Sequence, residues 1–228
     1  MDIVDKFVNP SEFEGLRVVV IGGSRGLGEL AAKAIVAGGG SVHFTYRTPS
    51  IESNRVLLEL RSIDPDSSAS QFDVIREGED MATKIPISFK PNLLMYFASP
   101  RIDASKKEFD HELFSKFCDY YVSGLSKIVY SMNRNMTTEL VTFWPSTVFL
   151  DSPSTFAAEY SAAKAAAESA SAYLNLSLKR QHILSLRVPR LRTDQTSGVP
   201  DFDLPRLHDH VQQVLELTRK SAALVLAR

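Results

Sequence analysis

The sequence predicts an α/β domain: a doubly wound parallel sheet in a three-layer α/β/α arrangement. Two observations carry that expectation. Short apolar runs alternate with longer stretches of helical periodicity along the chain, a pattern that implies βαβ units with right-handed crossovers and helices on both sheet faces. The first apolar run, Arg17 to Ile21, is β-branched and unbroken, as a strand buried on both faces should be.

Further strands follow at Val42 to Tyr46, weakly at Ser70 to Phe72, then at Leu93 to Phe97, Leu140 to Trp144 and Ile183 to Arg187. Helical patterns fill the gaps at Leu27 to Ala37, Glu52 to Arg61, Glu77 to Lys84, His111 to Asn133 and Phe156 to Lys179. Gly38-Gly39-Gly40 stops the first of them. Pro189, Pro200 and Pro205 mark a loop, and apolar residues from Leu207 through Val211, Val214 and Leu215 predict a last amphipathic helix. A seventh strand is not obvious, although Leu224-Val225-Leu226 could form a stub.

The bulk properties narrow the function. The length of 228 residues fits one domain, 1–228, with a glycine-rich half over 16–100 and a catalytic half over 101–228. Lys plus Arg (26) nearly cancel Asp plus Glu (27), for a net charge of −1, which argues against nucleic acid or a membrane surface as partner. The lone Cys118 excludes an internal disulfide and suits the reducing cytoplasm. No apolar run approaches the ~18 residues of a membrane span, and Asp2, Asp5 and Lys6 interrupt any signal core at the start. No metal site is expected, since His208 and His210 lie two apart and point to different helix faces. Cys118, among Phe114, Phe117 and Tyr121, reads as packing.

Directly after the first strand comes Gly22-Gly23-Ser24-Arg25-Gly26-Leu27-Gly28. Glycines there allow a tight turn, close approach of backbone amides to a diphosphate, and a helix packed against its strand. The helix N-terminus adds unpaired N–H groups and a positive dipole end. Placement between strand and helix makes this a Rossmann-like dinucleotide site. The second strand ends on Tyr46-Arg47-Thr48, without the carboxylate that would bind a ribose 2′-hydroxyl. Arg25 and Arg47 could clamp a 2′-phosphate, which favours NADP(H) over NAD; the alternative is two solvated surface arginines.

Tyr160 and Lys164 lie at i and i+4, on one face of a helix. A lysine one turn away favours the phenolate and turns a tyrosine into a usable general acid or base. Ser146 and Thr147 follow the fifth strand at its carboxyl end, where doubly wound sheets bind ligands.

With these residues the sequence resembles the short-chain dehydrogenase/reductase family over about Leu16 to Thr193. The resemblance rests on Gly22-x3-Gly26-x-Gly28, Asp73-Val74 after the third strand, Ala98 after the fourth, Ser146, and Tyr160-x3-Lys164. It implies that Gly22, Ser24, Arg25, Gly26, Leu27 and Gly28 hold the pyrophosphate end, and that Asp73 and Val74 border the adenine. Ala98 would lie by the adenine-side ribose, Lys164 would bind the nicotinamide ribose, and Val188, Pro189 and Thr193 would contact the nicotinamide end. Tyr160 would be the acid/base, and Ser146, preferred here over Thr147, would orient the carbonyl. Three departures stand out. Tyr121 occupies the place of a relay asparagine, Thr147 has the more usual offset from Tyr160, and Pro189-Arg190 replaces Pro-Gly.

The resulting expectation is an NADP(H)-dependent oxidoreductase reducing a ketone or oxidising a secondary alcohol. Its substrate is a small molecule or, given Arg190 and Arg192, an anionic or carrier-bound acyl group. Lys106-Lys107 reads as a solvated face, with docking of an acidic carrier as the minority reading. The alternatives are a degenerate scaffold that binds nucleotide or a partner protein without turnover, and a non-redox enzyme on the same scaffold. A homo-oligomer is expected through the alanine-rich helix after Tyr160 and the helix from His111, with Phe114, Phe117 and Tyr120 at the interface.

Overall fold

The computed structural model describes residues 7–102, 108–188 and 211–227. Six parallel strands form one sheet: β1 (Arg17–Ile21), β2 (Ser41–Tyr46), β3 (Ser68–Gln71), β4 (Leu93–Tyr96), β5 (Leu140–Thr147) and β6 (Gln181–Val188). Their order is β3-β2-β1-β4-β5-β6. The chain builds outward from β1 to β3, then crosses to β4 on the other side of β1. That reversal opens a crevice at the carboxyl ends of β1 and β4, where ligands of doubly wound sheets bind.

The central strands have no polar face because both sides are covered. Val18 and Val20 join one core with α1 (Gly26–Ala37), α2 (Ile51–Arg61) and α7 (Val211–Leu226). Val19 and Ile21 join the other, with α3 (Met81–Lys84), α4 (His111–Cys118), α5 (Leu125–Asn135) and α6 (Ala158–Ser177). Ser50 caps α2 by accepting from Ser53 N, while Ser53 Oγ accepts from Ser50 N. Lys33 of α1, buried between Glu29 and Glu59 at 2.6 Å from each, ties the first two helices together, and Arg55 bridges the same two carboxylates.

Three expectations are corrected. The helix expected over His111 to Asn133 is interrupted by a π-helical turn, Asp119–Gly124, in which Leu125 N–H reaches back five residues to Tyr120 O. The buried Tyr96 hydroxyl donates to the same carbonyl at 2.6 Å, so the widened turn is held from β4. Leu224-Val225-Leu226 belongs to α7, not to a strand; the apolar positions Val214, Leu215 and Ala222 are buried at helical spacing, and Val225 packs on the same core. Among the described residues no strand follows β6. Phe117 and Tyr120 are buried inside the protomer, so they are not available to an interface.

Pro189, Arg190, Arg192, Thr193, Lys106, Lys107, Leu207, His208 and His210 lie outside the described residues. Cys118 packs against the second core with its thiol pushed up by burial, and Trp144 is core, donating from Nε1 to Ser171 Oγ at 2.9 Å.

Candidate active site

The glycine turn runs from the end of β1 into α1. Gly22 has φ +81°, a conformation that side chains disfavour, and it lies against the backbone of Ala98. A Cβ on Gly28 would stand 2.3 Å from the Gly22 carbonyl oxygen, so only glycine lets the helix approach its own turn. A Cβ on Gly26 would meet nothing within 4 Å; the turn therefore encloses open space. Arg25, at the N-cap, gives α1 no side-chain hydrogen bond. A turn of this shape, aimed at open space by an uncapped helix N-terminus, fits a diphosphate. Leu27 packs its side chain on the first core.

Beside the turn lies a cavity of about 240 Å³ at the carboxyl ends of β1, β2 and β4. It gathers the predicted Gly22, Ser24, Arg25, Arg47, Asp73, Val74 and Ala98. Arg47 faces Asp73 at 3.4 Å and donates to the Tyr120 hydroxyl at 3.2 Å. The sequence reading missed Thr45, Ser99, Arg101, Lys116 and Tyr120. Thr45 Oγ1 accepts from Gly22 N at 3.2 Å and so shapes the turn. The signal for Arg101 was its place just past β4, on the rim of the crevice. None existed for Tyr120, which the π-turn carries there.

At the carboxyl end of β5 the two candidate hydroxyls diverge, because neighbouring strand residues point to opposite faces. Thr147 is hydrogen-bonded to the Tyr160 phenol. Ser146 is fully buried and instead donates to Glu168 Oε1 at 2.5 Å. Glu168 also takes a two-point contact from Arg187 of β6, which reaches Asp151 as well. Arg187, then Ser146, hold the Glu168 carboxyl below its ordinary range. The place beside Tyr160 is thus held by Thr147, while Ser146, the hydroxyl preferred from the sequence, faces Glu168. Val188, at the end of β6, pairs in register with Thr147.

Tyr160 and Lys164 share one face of α6, as their spacing requires. Burial pushes the Tyr160 phenol above its ordinary value, and the Thr147 hydrogen bond pulls it partly back. The lowering expected from Lys164 is not what dominates. The ammonium donates to Pro145 O at 2.7 Å and lies over the Tyr121 ring, 3.8 Å from its centroid. Burial lowers Lys164 to about 7, with Glu168 opposing. Tyr121, in the π-turn, stacks on Phe117 and meets Tyr160 edge to face.

This fold and site define a doubly wound α/β protein with a crevice beside a glycine-rich turn and a Tyr-Lys-hydroxyl cluster at the end of β5. More particularly, the fold is that of the short-chain dehydrogenases/reductases. A short-chain dehydrogenase of Escherichia coli CFT073, complexed with NADPH, superposes with a TM-score of 0.77 at 15% identity, covering 93% of this chain and 95% of that one. One from Burkholderia cenocepacia J2315, in complex with NADP, gives 0.76 at 17% identity, covering 91% of each chain. A 3-oxoacyl (acyl-carrier-protein) reductase of Agrobacterium tumefaciens C58, with NADP bound, gives 0.74 at 15% identity, covering 93% and 90%. No family model and no curated protein matches the sequence.

Proposed function

We propose that this protein is an NADP(H)-dependent oxidoreductase that interconverts a ketone and a secondary alcohol. The observation that carries the reading is the half-buried Tyr160 phenol, hydrogen-bonded to Thr147 and one turn from the buried Lys164, at the same carboxyl end of the sheet as the glycine turn. The NADP-bound structures of the same fold support the cofactor choice.

In this reading the turn from Gly22 to Gly28 holds the diphosphate, and Arg25 and Arg47 hold the 2′-phosphate by charge-assisted hydrogen bonds. When bound, the nicotinamide supplies the hydride. Thr147 donates a hydrogen bond to the substrate carbonyl oxygen and Tyr160 delivers its proton there. A phenol held above its ordinary range keeps that proton until negative charge builds on the oxygen. Lys164, near half-protonated at neutral pH, supports the phenolate that remains. A 3-oxoacyl reductase among the similar structures supports an acyl or carrier-bound ketone as substrate.

The outer face of α6 presents Ala165, Ser169, Ala172, Tyr173 and Leu176, all exposed at helical spacing, with Leu176 89% exposed. It supports a homo-oligomer through α6, which sedimentation of Leu176→Glu against wild type tests. No helix among the described residues is long and apolar enough to cross a membrane, and the lone cysteine supports a cytoplasmic setting.

Calorimetric titration with NADPH and NADH tests the cofactor assignment. Tight NADPH binding that Arg47→Leu weakens by about tenfold or more, with NADH little changed, is expected. The pair that Arg47 gives up with Asp73 is long, at 3.4 Å, and exposed on the arginine side, so it offsets little of that gain. No binding by a folded protein would instead favour a scaffold without redox turnover.

A further inference from the structure

The relay-asparagine place holds a tyrosine whose ring, not its hydroxyl, faces the lysine. Three aromatic rings surround the Lys164 ammonium, with centroids at 3.8 Å (Tyr121), 5.1 Å (Trp144) and 5.5 Å (Tyr160). All three lie within the ~6 Å over which a ring face attracts a cation, and Tyr121 comes nearest. The hydroxyl of Tyr121 points away, 2.5 Å from Ser99 Oγ. This bond pins the ring to Ser99, just past the end of β4. Phe117, stacked nearly parallel at 5.9 Å, backs the ring on one side.

Of the other charges nearby, Glu168 also favours the charged lysine, but it is shared with other partners. Glu168, one turn beyond Lys164, accepts from Arg187 and Ser146. Asp151 is paired with the same arginine. Tyr160, on α6, is turned to Thr147, and Tyr96 of β4 donates to Tyr120 O. The ammonium itself donates to Pro145 O at 2.7 Å.

We infer that Tyr121 is a positioning residue that holds the Lys164 ammonium through the face of its ring and thereby sets how much of the lysine is charged when the reaction occurs. The inference rests on the role given to Lys164 above. It makes the hydroxyl of Tyr121 an anchor and its π face the working part. Burial alone would drive the lysine toward its neutral form, and the ring opposes that tendency.

The test reads Lys164 directly. In protein carrying 13C-labelled lysine, the Lys164 side-chain resonance is identified by its loss in Lys164→Met and followed with pH. Phenylalanine and then its increasingly fluorinated analogues are placed at position 121, which weakens the ring face while keeping its size and avoids a folding failure. The expected result is a midpoint that stays near wild type with phenylalanine and falls stepwise, by about one pH unit over the series. The Lys164 methylene protons should also resonate upfield, as they do over a ring face, and lose that shift in Tyr121→Leu. A midpoint indifferent to fluorination would overturn the inference, as would the absence of any upfield shift. Turnover against pH is measured on the same variants; its acid limb should move with the resonance. A wild-type protein that fails to turn over any ketone refutes the proposed function, whereas the titration still decides the role of Tyr121.

Discussion

Replacing Thr147 with Val and, separately, Ser146 with Ala separates the two hydroxyls that the sequence leaves in competition. Thr147 is almost fully buried and is bonded to the Tyr160 phenol, so Val removes the partner of a buried donor while keeping the side-chain shape. That costs about 1–3 kcal/mol of stability. The loss of a hydrogen-bond donor at the reacting oxygen costs more in rate, about 10²–10³ in kcat. Ser146→Ala removes one of the bonds to Glu168, but the carboxylate keeps both contacts from Arg187. About 1–2 kcal/mol of stability is lost there, with no group removed from the reacting oxygen. The expected contrast in kcat is therefore on the order of 100-fold or more, with Thr147→Val the slow variant. NADPH oxidation with a 3-oxoacyl thioester and with cyclic ketones measures the rates. Urea melts report stability, and calorimetry confirms that cofactor affinity survives. Thr147→Ser, which keeps the hydroxyl, should restore most of the rate. An inactive Ser146→Ala beside an active Thr147→Val would refute the reasoning.

Gly28→Ala should weaken NADPH binding by at least tenfold and lower stability by about 1–3 kcal/mol. Its Cβ would meet the Gly22 carbonyl oxygen at 2.3 Å, and backbone cannot swing aside as a side chain would; unchanged affinity by calorimetry would contradict this. His43, buried in β2 with its nitrogens on Ser68 Oγ (2.9 Å) and Ser70 Oγ (3.0 Å), is lowered by burial from 6.5 to about 4. The unfolded chain therefore binds the extra proton first, and stability is lost as pH falls from 6.5 toward 4, by about 3 kcal/mol in all. His43→Gln should flatten that part of the pH–stability curve, whereas curves of wild type and variant that run parallel would speak against it.

Much of the fold was legible because its signals are local. The β-branched run in β1, the glycine turn and the i, i+4 spacing of Tyr160 and Lys164 each depend on near neighbours in sequence. Strand ends were less legible: β5 continues through Pro145 to Thr147, because pairing with β6 carries it past the apolar run. The identity of the hydroxyl turned on which face of β5 each residue takes at the sheet's edge, something an alternating pattern cannot fix without knowing where the strand ends. The interruption of the helix after Cys118 left no mark either, since DYYVSG is compatible with an ordinary helical turn. Its cause is a tertiary contact, the Tyr96 hydroxyl on the Tyr120 carbonyl. The same contact explains why Tyr120 escaped notice as a site residue.

The π-turn from Asp119 to Gly124 makes two consecutive peptide units belong to different chemical neighbourhoods. Tyr120 answers to Arg47 at the cavity beside the glycine turn, and Tyr121 to Lys164 at the end of β5. An even α-helix rotates successive side chains by a fixed ~100°, so removing one residue from the turn would put every residue beyond it out of phase with its pocket. The turn thus acts as a phase-setter for the chain: its length in residues, more than the identity of any one of them, is what keeps the two neighbourhoods served from a single helix. Insertions and deletions here would be read by the protein as rotations, and substitutions of Tyr120 would be transmitted to Tyr121 through one shared peptide bond.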